Sequence, residues 1–271
     1  MAIKGNGAVN TMEAVKVNTK QKEKTIVTYH KSIFSSVLTG ITWGAAILAL
    51  AILVFLVGFI LIRGVKNLTL DQFAWTYTTE NVTMLPAIIN TVTMTLLSLL
   101  IAAPLGIFSA IYLVEYANKN GKLVGLIRIT AETLSGIPSI VYGLFGMLFF
   151  TKTLKMEYSM ASGACTLAIM ILPLIMRTAE EALKSVPDSY REASFGLGAG
   201  KLRTIFKIVL PSAVPGILSG VILATGRVVG ETAALLFTAG TIAKVAGLMD
   251  SGRTLAVHMY ALSSEGLSER A

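Results

Sequence analysis

The chain has 271 residues, of which 54% are hydrophobic and only 14% charged. A soluble domain of this length carries about 25% charge, so long stretches never meet water. The length suits several membrane spans and excludes those spans together with a second large soluble domain. The formal net charge of +8 would suggest nucleic acid in a soluble protein. Here the basic residues crowd two segments that flank apolar runs, Lys4 to Lys31 and Arg177 to Lys207. That is the pattern of inner-face membrane segments, so lipid is the expected partner and nucleic acid is not.

Met1 to Lys31 is polar, Lys-rich and without hydrophobic period, which predicts a disordered cytoplasmic tail over residues 1–31. Ile41 to Ile62 then runs 22 residues without a charge, about 33 Å of helix and enough to cross a membrane core. It is too long for a signal-peptide core and predicts an uncleaved span. The second run is Ile88 to Val114, charge-free and containing Pro104; the third is about Leu123 to Phe150, with Arg128 and Glu132 near its start. In that third run Gly136 and Pro138 weaken helix regularity, and simple helix packing accounts for them better than a moving hinge.

The fourth run is about Ser159 to Met176, and the longest interior polar stretch, Arg177 to Lys207, follows it. The fifth run, about Ser212 to Gly240, is interrupted by Arg227 and Glu231. Beyond it, Val245–Met249 and Leu255–Leu262 read as short interfacial or re-entrant pieces. With the tail inside, fifteen Lys and Arg fall on inner segments and seven on outer ones. This asymmetry makes the N-terminus and the 177–207 loop cytoplasmic. The expected fold class is all-α, a polytopic membrane helical bundle of about five spans.

Within the polar loop, Pro187, Asp188 and Glu192 suit a helix N-terminus, and Gly196 and Gly198 suit its end. A short helix is predicted over about Asp188 to Phe195, with Tyr190, Ala193 and Leu197 on one face. A second helix is predicted from Lys201 to Leu210, ended by Pro211. Gly196-Leu-Gly-Ala-Gly-Lys201 is not a phosphate-binding loop: Phe195 stands where the first glycine belongs, and Leu202 where Ser or Thr belongs. No nucleotide site, catalytic residue, cofactor or metal is expected in this chain. Cys165 reads as a small core residue, and His30 and His258 are far apart in sequence.

Arg227 and Glu231, four residues apart inside an apolar run, would share a helix face and pair. Two readings stay open for them: a structural ion pair, or a forked cation offered to an anionic substrate. Arg128 with Glu132, and Arg177 with Glu181, repeat the spacing near helix ends and read as interfacial anchors or gate pairs. Arg177, Glu132, Arg227 and Glu231 are therefore the candidate pathway or gating residues.

Glu192-Ala193-Ser194, then Gly198 and Ile208-Val-Leu210-Pro211, resembles the EAA loop of ABC importer permeases, with Ser194 where the family has a second alanine. Glu132-Thr-Leu-Ser-Gly-Ile-Pro-Ser-Ile-Val-Tyr-Gly143 and Arg227-Val-Val-Gly-Glu231 resemble the phosphate branch of that family, the PstA type. The resemblance covers about Ile41 to Gly266. It implies a type I importer permease fold over residues 32–266, with the coupling loop at about 184–211 and a short tail at 267–271. It implies that Tyr190, Glu192, Ala193, Ser194, Gly198, Leu210 and Pro211 couple to an ATPase. It further implies a PstC-type permease partner, a PstB-type ATPase dimer holding ATP and Mg, and a PstS-type phosphate-binding protein in the inner membrane's outer compartment. The family's sixth span would follow Tyr260; the chain stops at Ala271, so that span is expected to be missing, by truncation or by nature. Competing readings are a permease for another oxyanion such as sulfate or molybdate, a non-transporting membrane scaffold, and a passive channel.

Overall fold

The computed structural model describes residues 33–75, 77–78, 82–118 and 121–265, and the expected tails at 1–31 and 267–271 lie outside them. Every described element is helical. The chain divides into two units, residues 1–67 and residues 68–271.

The first unit holds α1, Ile33–Asn67. It starts eight residues before the charge-free run and is apolar on every side, with Trp43, Phe55 and Ile62 all exposed. A helix apolar all round is built for lipid or for the core of a large assembly.

In the second unit, α2 covers Leu85–Ile111 and continues through a wide π turn at Tyr112–Tyr116. Pro104 stays inside it. α3 is Lys122–Ser135 and α4 is Ser139–Gly146, the latter extended by a π segment, Met147–Thr153. The third apolar run is therefore not one straight span: its two halves are bent by 101°. Pro138 has no N–H and drives Ile137 to extended backbone, so the helix has to stop there. The Leu134 carbonyl accepts twice at that end, from the Ile137 N–H at 3.1 Å and from the Tyr142 hydroxyl at 2.7 Å.

α5 is Met160–Ser185, ending nine residues beyond the predicted fourth run. Charges at Arg177, Glu180 and Lys184 end the hydrophobic pattern but not the helix, because no Gly or Pro follows until Pro187. α6 is Asp188–Gly196, one residue longer than predicted. Next come α7, Lys201–Thr204, a π turn at Ile205–Val209, and α8, Leu210–Val229. Pro211 does not end the helix as predicted: the widened turn just before it absorbs the missing donor, and α7 runs on into α8. α8 ends eleven residues before the predicted limit, Gly240. Beyond it lie a single turn, α9 (Ala233–Leu236), and α10, Leu255–Glu265. The stretch Val245–Met249 is not helical, and α10 packs on α2 with Val257 and His258 fully buried.

Among the described residues, four helices are long and apolar enough to cross a membrane, five if the bent pair counts as one span. α5 is the hub, packed against α2, α8, α3 and α4. Its core joins Leu167, Met170, Ile171 and Ile175 to Met94, Ala102 and Ala224. α8 approaches α5 through Gly216 and Gly220, a small-xxx-small pair. A Cβ on Gly216 would come within 2.7 Å of the Ala182 Cβ, and one on Gly220 would overlap Thr178.

Candidate functional site

At the end of the bundle where α2 and α5 finish, α6 lies across the helix ends and is tied down by one residue. Arg191 donates from Nε and Nη2 to Glu115 Oε1, at 3.1 and 2.7 Å. Its Nη1 reaches the Val186 carbonyl and Asp188 Oδ1, and its Nη2 also reaches the Leu183 carbonyl. One guanidinium thus joins the π turn closing α2, the last carbonyls of α5 and the first turn of α6. Both partners are largely shielded, at 15% and 9% side-chain exposure. For a pair so largely removed from water, the surrounding hydrogen bonds offset much of the desolvation cost. The side chain of Ser194, also buried, shares a hydrogen bond of 2.8 Å with Thr204 Oγ1 and pins α6 to α7. Lys201 Nζ sits 4.6 Å from the Tyr116 ring centre, tying α7 back to α2.

The opposite side of α6 has no partner among the described residues. Tyr190, Glu192, Ala193 and Leu197 are exposed, Leu197 at 90%. Gly198 follows at φ +81, a left-handed position that turns the chain into α7 and strains any residue with a Cβ. Beside it a groove of about 310 Å³ is lined by Leu197, Gly198, Arg203 and Lys207. Of the residues singled out in this loop, Tyr190, Glu192, Ala193 and Gly198 lie at the exposed surface. Ser194 faces inward, Leu210 is half-buried, and Pro211 is exposed on the first turn of α8.

The expected within-helix pairs exchange partners between helices. Arg128 of α3 binds Glu180 of α5, with Nη2–Oε1 at 2.6 Å, and Lys184 joins the same oxygen at 2.7 Å. Arg177 of α5 points to Glu132 of α3 at 3.8 Å, both exposed. α3 and α5 lie side by side, so charges opposite one another across the contact win over charges one turn apart. Glu180 and Glu115, which the sequence reading did not single out, are the buried anchors. The only sequence signal for Glu180 was its four-residue spacing to Lys184. A cavity of about 440 Å³ opens between these helix ends, lined by Glu115, Arg128, Lys184, Asp188 and Arg191.

Arg227 and Glu231 do not pair. α8 stops at Val229, and Glu231 lies in the following turn, buried, with its Oε1 accepting from the Ala234 N–H at 3.0 Å. It caps α9 and has turned away from α8. Arg227 is half-buried on the last turn of α8, within electrostatic reach of Tyr142 at the α3–α4 corner. Among the described residues it has no acidic partner within ion-pair distance. A guanidinium held in an apolar bundle without a carboxylate is a donor set available to an anion.

Residues 102–260 match the family model described as binding-protein-dependent transport system inner membrane component. The probable ABC transporter permease protein YqgI of Bacillus subtilis is 34% identical over 88% of this chain and 86% of its own. The phosphate transport system permease protein PstA 1 of Mycobacterium tuberculosis is 37% identical over 79% of this chain and 72% of its own. Among solved structures, a chain of the MetNI methionine ABC transporter in an inward-facing conformation aligns at 20% identity. That alignment covers 77% of this chain and 88% of the other, with a TM-score of 0.47.

Proposed function

Because the chain belongs to the binding-protein-dependent transport system inner membrane component family, and is the multi-pass permease component of an ABC importer, we propose that it carries inorganic phosphate inward, driven by a separate ATPase that docks on α6. The observation that carries this reading is the two-sidedness of α6. One side is bolted to α2 and α5 through Arg191, and the other offers Tyr190, Glu192, Ala193 and Leu197 to a partner. Force applied to such a helix passes into the helix ends directly, because the joint is rigid and fully hydrogen-bonded. In this reading α6 lies on the cytoplasmic face, as the basic residues of the 177–207 loop favour. Gly198 keeps the docking surface low and sets the turn that follows it.

Phosphate as the cargo is supported by the likeness to phosphate permeases and by Arg227, whose forked donors suit a tetrahedral anion. Glu132 and Arg177, loosely paired and exposed, stand as a gate pair that an anion can compete for. A second permease subunit completes the pathway, an ATPase dimer supplies ATP hydrolysis, and an external binding protein delivers the cargo. Uptake of labelled phosphate and labelled sulfate in cells lacking their own phosphate importer tests the reading. Phosphate uptake restored by the wild-type chain and its partners, and abolished by Gly198→Asp, is expected. Sulfate uptake in place of phosphate removes the cargo assignment, and undiminished uptake in Gly198→Asp removes the docking assignment.

A further inference from the structure

At the other end of α2 the polypeptide between α9 and α10 is sewn onto the bundle by Asn90. Its Nδ2 donates to the carbonyls of Lys244 and Arg253, at 2.8 and 3.1 Å, and its Oδ1 accepts from the Ala246 N–H. Thr91 Oγ1 accepts from the Leu255 N–H at 2.8 Å. These bonds fix the first turn of α10 and with it Arg253, Thr254 and His258, which are 5%, 2% and 1% exposed. The three carry buried polar atoms without a well-formed hydrogen bond: Arg253 Nε and Nη2, Thr254 Oγ1, and the ring nitrogens of His258, which have only the Val82 backbone nearby. Thr254 and His258 are one helical turn apart, the His258 N–H bonding the Thr254 carbonyl. Tyr77 bridges the group, its ring 4.7 Å from the Arg253 guanidinium and edge-on to His258 at 6.2 Å.

Among the described residues no carboxylate lies within ion-pair distance of Arg253; the nearest acidic residue in sequence, Asp250, is spent on Lys244 at 3.4 Å. A buried guanidinium needs a counter-charge, and this one has a stacking ring but no acceptor on two of its nitrogens. We propose that Arg253, Thr254 and His258 form an oxyanion-binding site, taking a tetrahedral anion of the phosphate class. A tetrahedral anion offers four acceptors, and a guanidinium and a hydroxyl together supply more N–H and O–H donors than the two oxygens of a carboxylate use. They are also too deeply buried for a side chain on a partner protein's surface to reach, whereas a small free ion needs only a narrow path.

The site's position follows from α2. Asn90 and Glu115 are 25 residues apart on it, roughly 37 Å at helical rise. The site therefore lies a membrane's thickness from the α6 joint, on the face where an importer receives its cargo. The identification of the anion as phosphate rests on the function proposed above; the site itself rests on the unsatisfied donors.

Equilibrium binding of labelled phosphate, and separately of labelled sulfate, to the full-length chain with its co-purifying subunits in lipid nanodiscs tests it, without nucleotide or external binding protein. Arg253→Gln is expected to weaken binding roughly ten- to hundredfold, the loss of a charge-assisted hydrogen-bond set. Thr254→Val removes only a hydroxyl, leaves assembly intact and is expected to weaken binding several-fold. Wild-type affinity in both variants overturns the site while leaving phosphate import standing. Sulfate bound in place of phosphate, and lost in Arg253→Gln, keeps the site and removes phosphate as the cargo. Unchanged anion binding with weakened capture of the external binding protein by Arg253→Gln overturns the site in favour of a protein carboxylate.

Discussion

Arg191 and Glu115, 76 residues apart in sequence, meet at 2.7 Å where α6 crosses the end of α2. The contact makes the polar loop a mechanical part of the bundle. A loop helix attached only by its own backbone would swing freely; this one is joined to two long helices by a single side chain.

Removing one side of that pair leaves the other charge buried and alone. Arg191→Ala and Glu115→Gln are each expected to destabilise the chain by about 3–5 kcal/mol, read as a lowered melting temperature in detergent. In the assembled importer the same variants are expected to hydrolyse ATP without moving cargo. Melting temperatures equal to wild type in both would show that the joint holds nothing.

Neighbouring glutamates at 180 and 181 should behave differently. Glu180, at 6% side-chain exposure, gathers Arg128 and Lys184, whereas Glu181 is exposed. Glu180→Gln is expected to loosen α3 from α5, seen as faster proteolysis within α3. Glu181→Gln is expected to stay within about 0.5 kcal/mol of wild type. Equal effects would return the pairing to the within-helix pattern.

The α5–α8 contact depends on the missing side chain at Gly220. Gly220→Val drives carbon atoms into Thr178 and is expected to cost about 1–3 kcal/mol or more. Adding Thr178→Ala is expected to restore part of that loss, because it empties the space the new side chain needs. Thermal unfolding of the single and double variants measures the rescue, and its absence would place the clash elsewhere.

His258 gives the protein a pH dependence. It lies in α10, outside the membrane-length helices, and burial, followed by the nearby Arg253 charge, pushes its pKa down from 6.5 to about 4. Contact with the Val82 backbone favours the charged form and offsets part of that shift. A base depressed on folding binds its proton more readily unfolded, so stability is complete above about pH 6.5 and falls as the pH drops toward about 4. His258→Asn is expected to flatten melting temperature against pH across that window. A wild-type profile already flat there would show that His258 titrates normally.

Much of the fold was legible along the chain because its signals are local. Charge-free runs mark the apolar helices, and Pro187 and Gly198 bracket α6 closely. Pro138 is likewise where the third run breaks, although the sequence alone gave no reason to choose a right-angled corner over a packed helix. Where signals were local but ambiguous, neighbours decided. Pro211 looked like a stop, and a widened turn carried the helix through it.

The sequence by itself determined that this chain carries several apolar runs of membrane length, that one polar loop carries a short exposed helix, and where the charges stand along each helix. Only the tertiary structure decided which charges meet. Arg128 and Arg177 find glutamates on the neighbouring helix, Glu231 turns to cap α9, and among the described residues Arg227 and Arg253 have no carboxylate within ion-pair distance. Spacing constrains contacts within one helix, but partners across helices depend on how two surfaces are brought together, and that is set by packing at places such as Gly216 and Gly220.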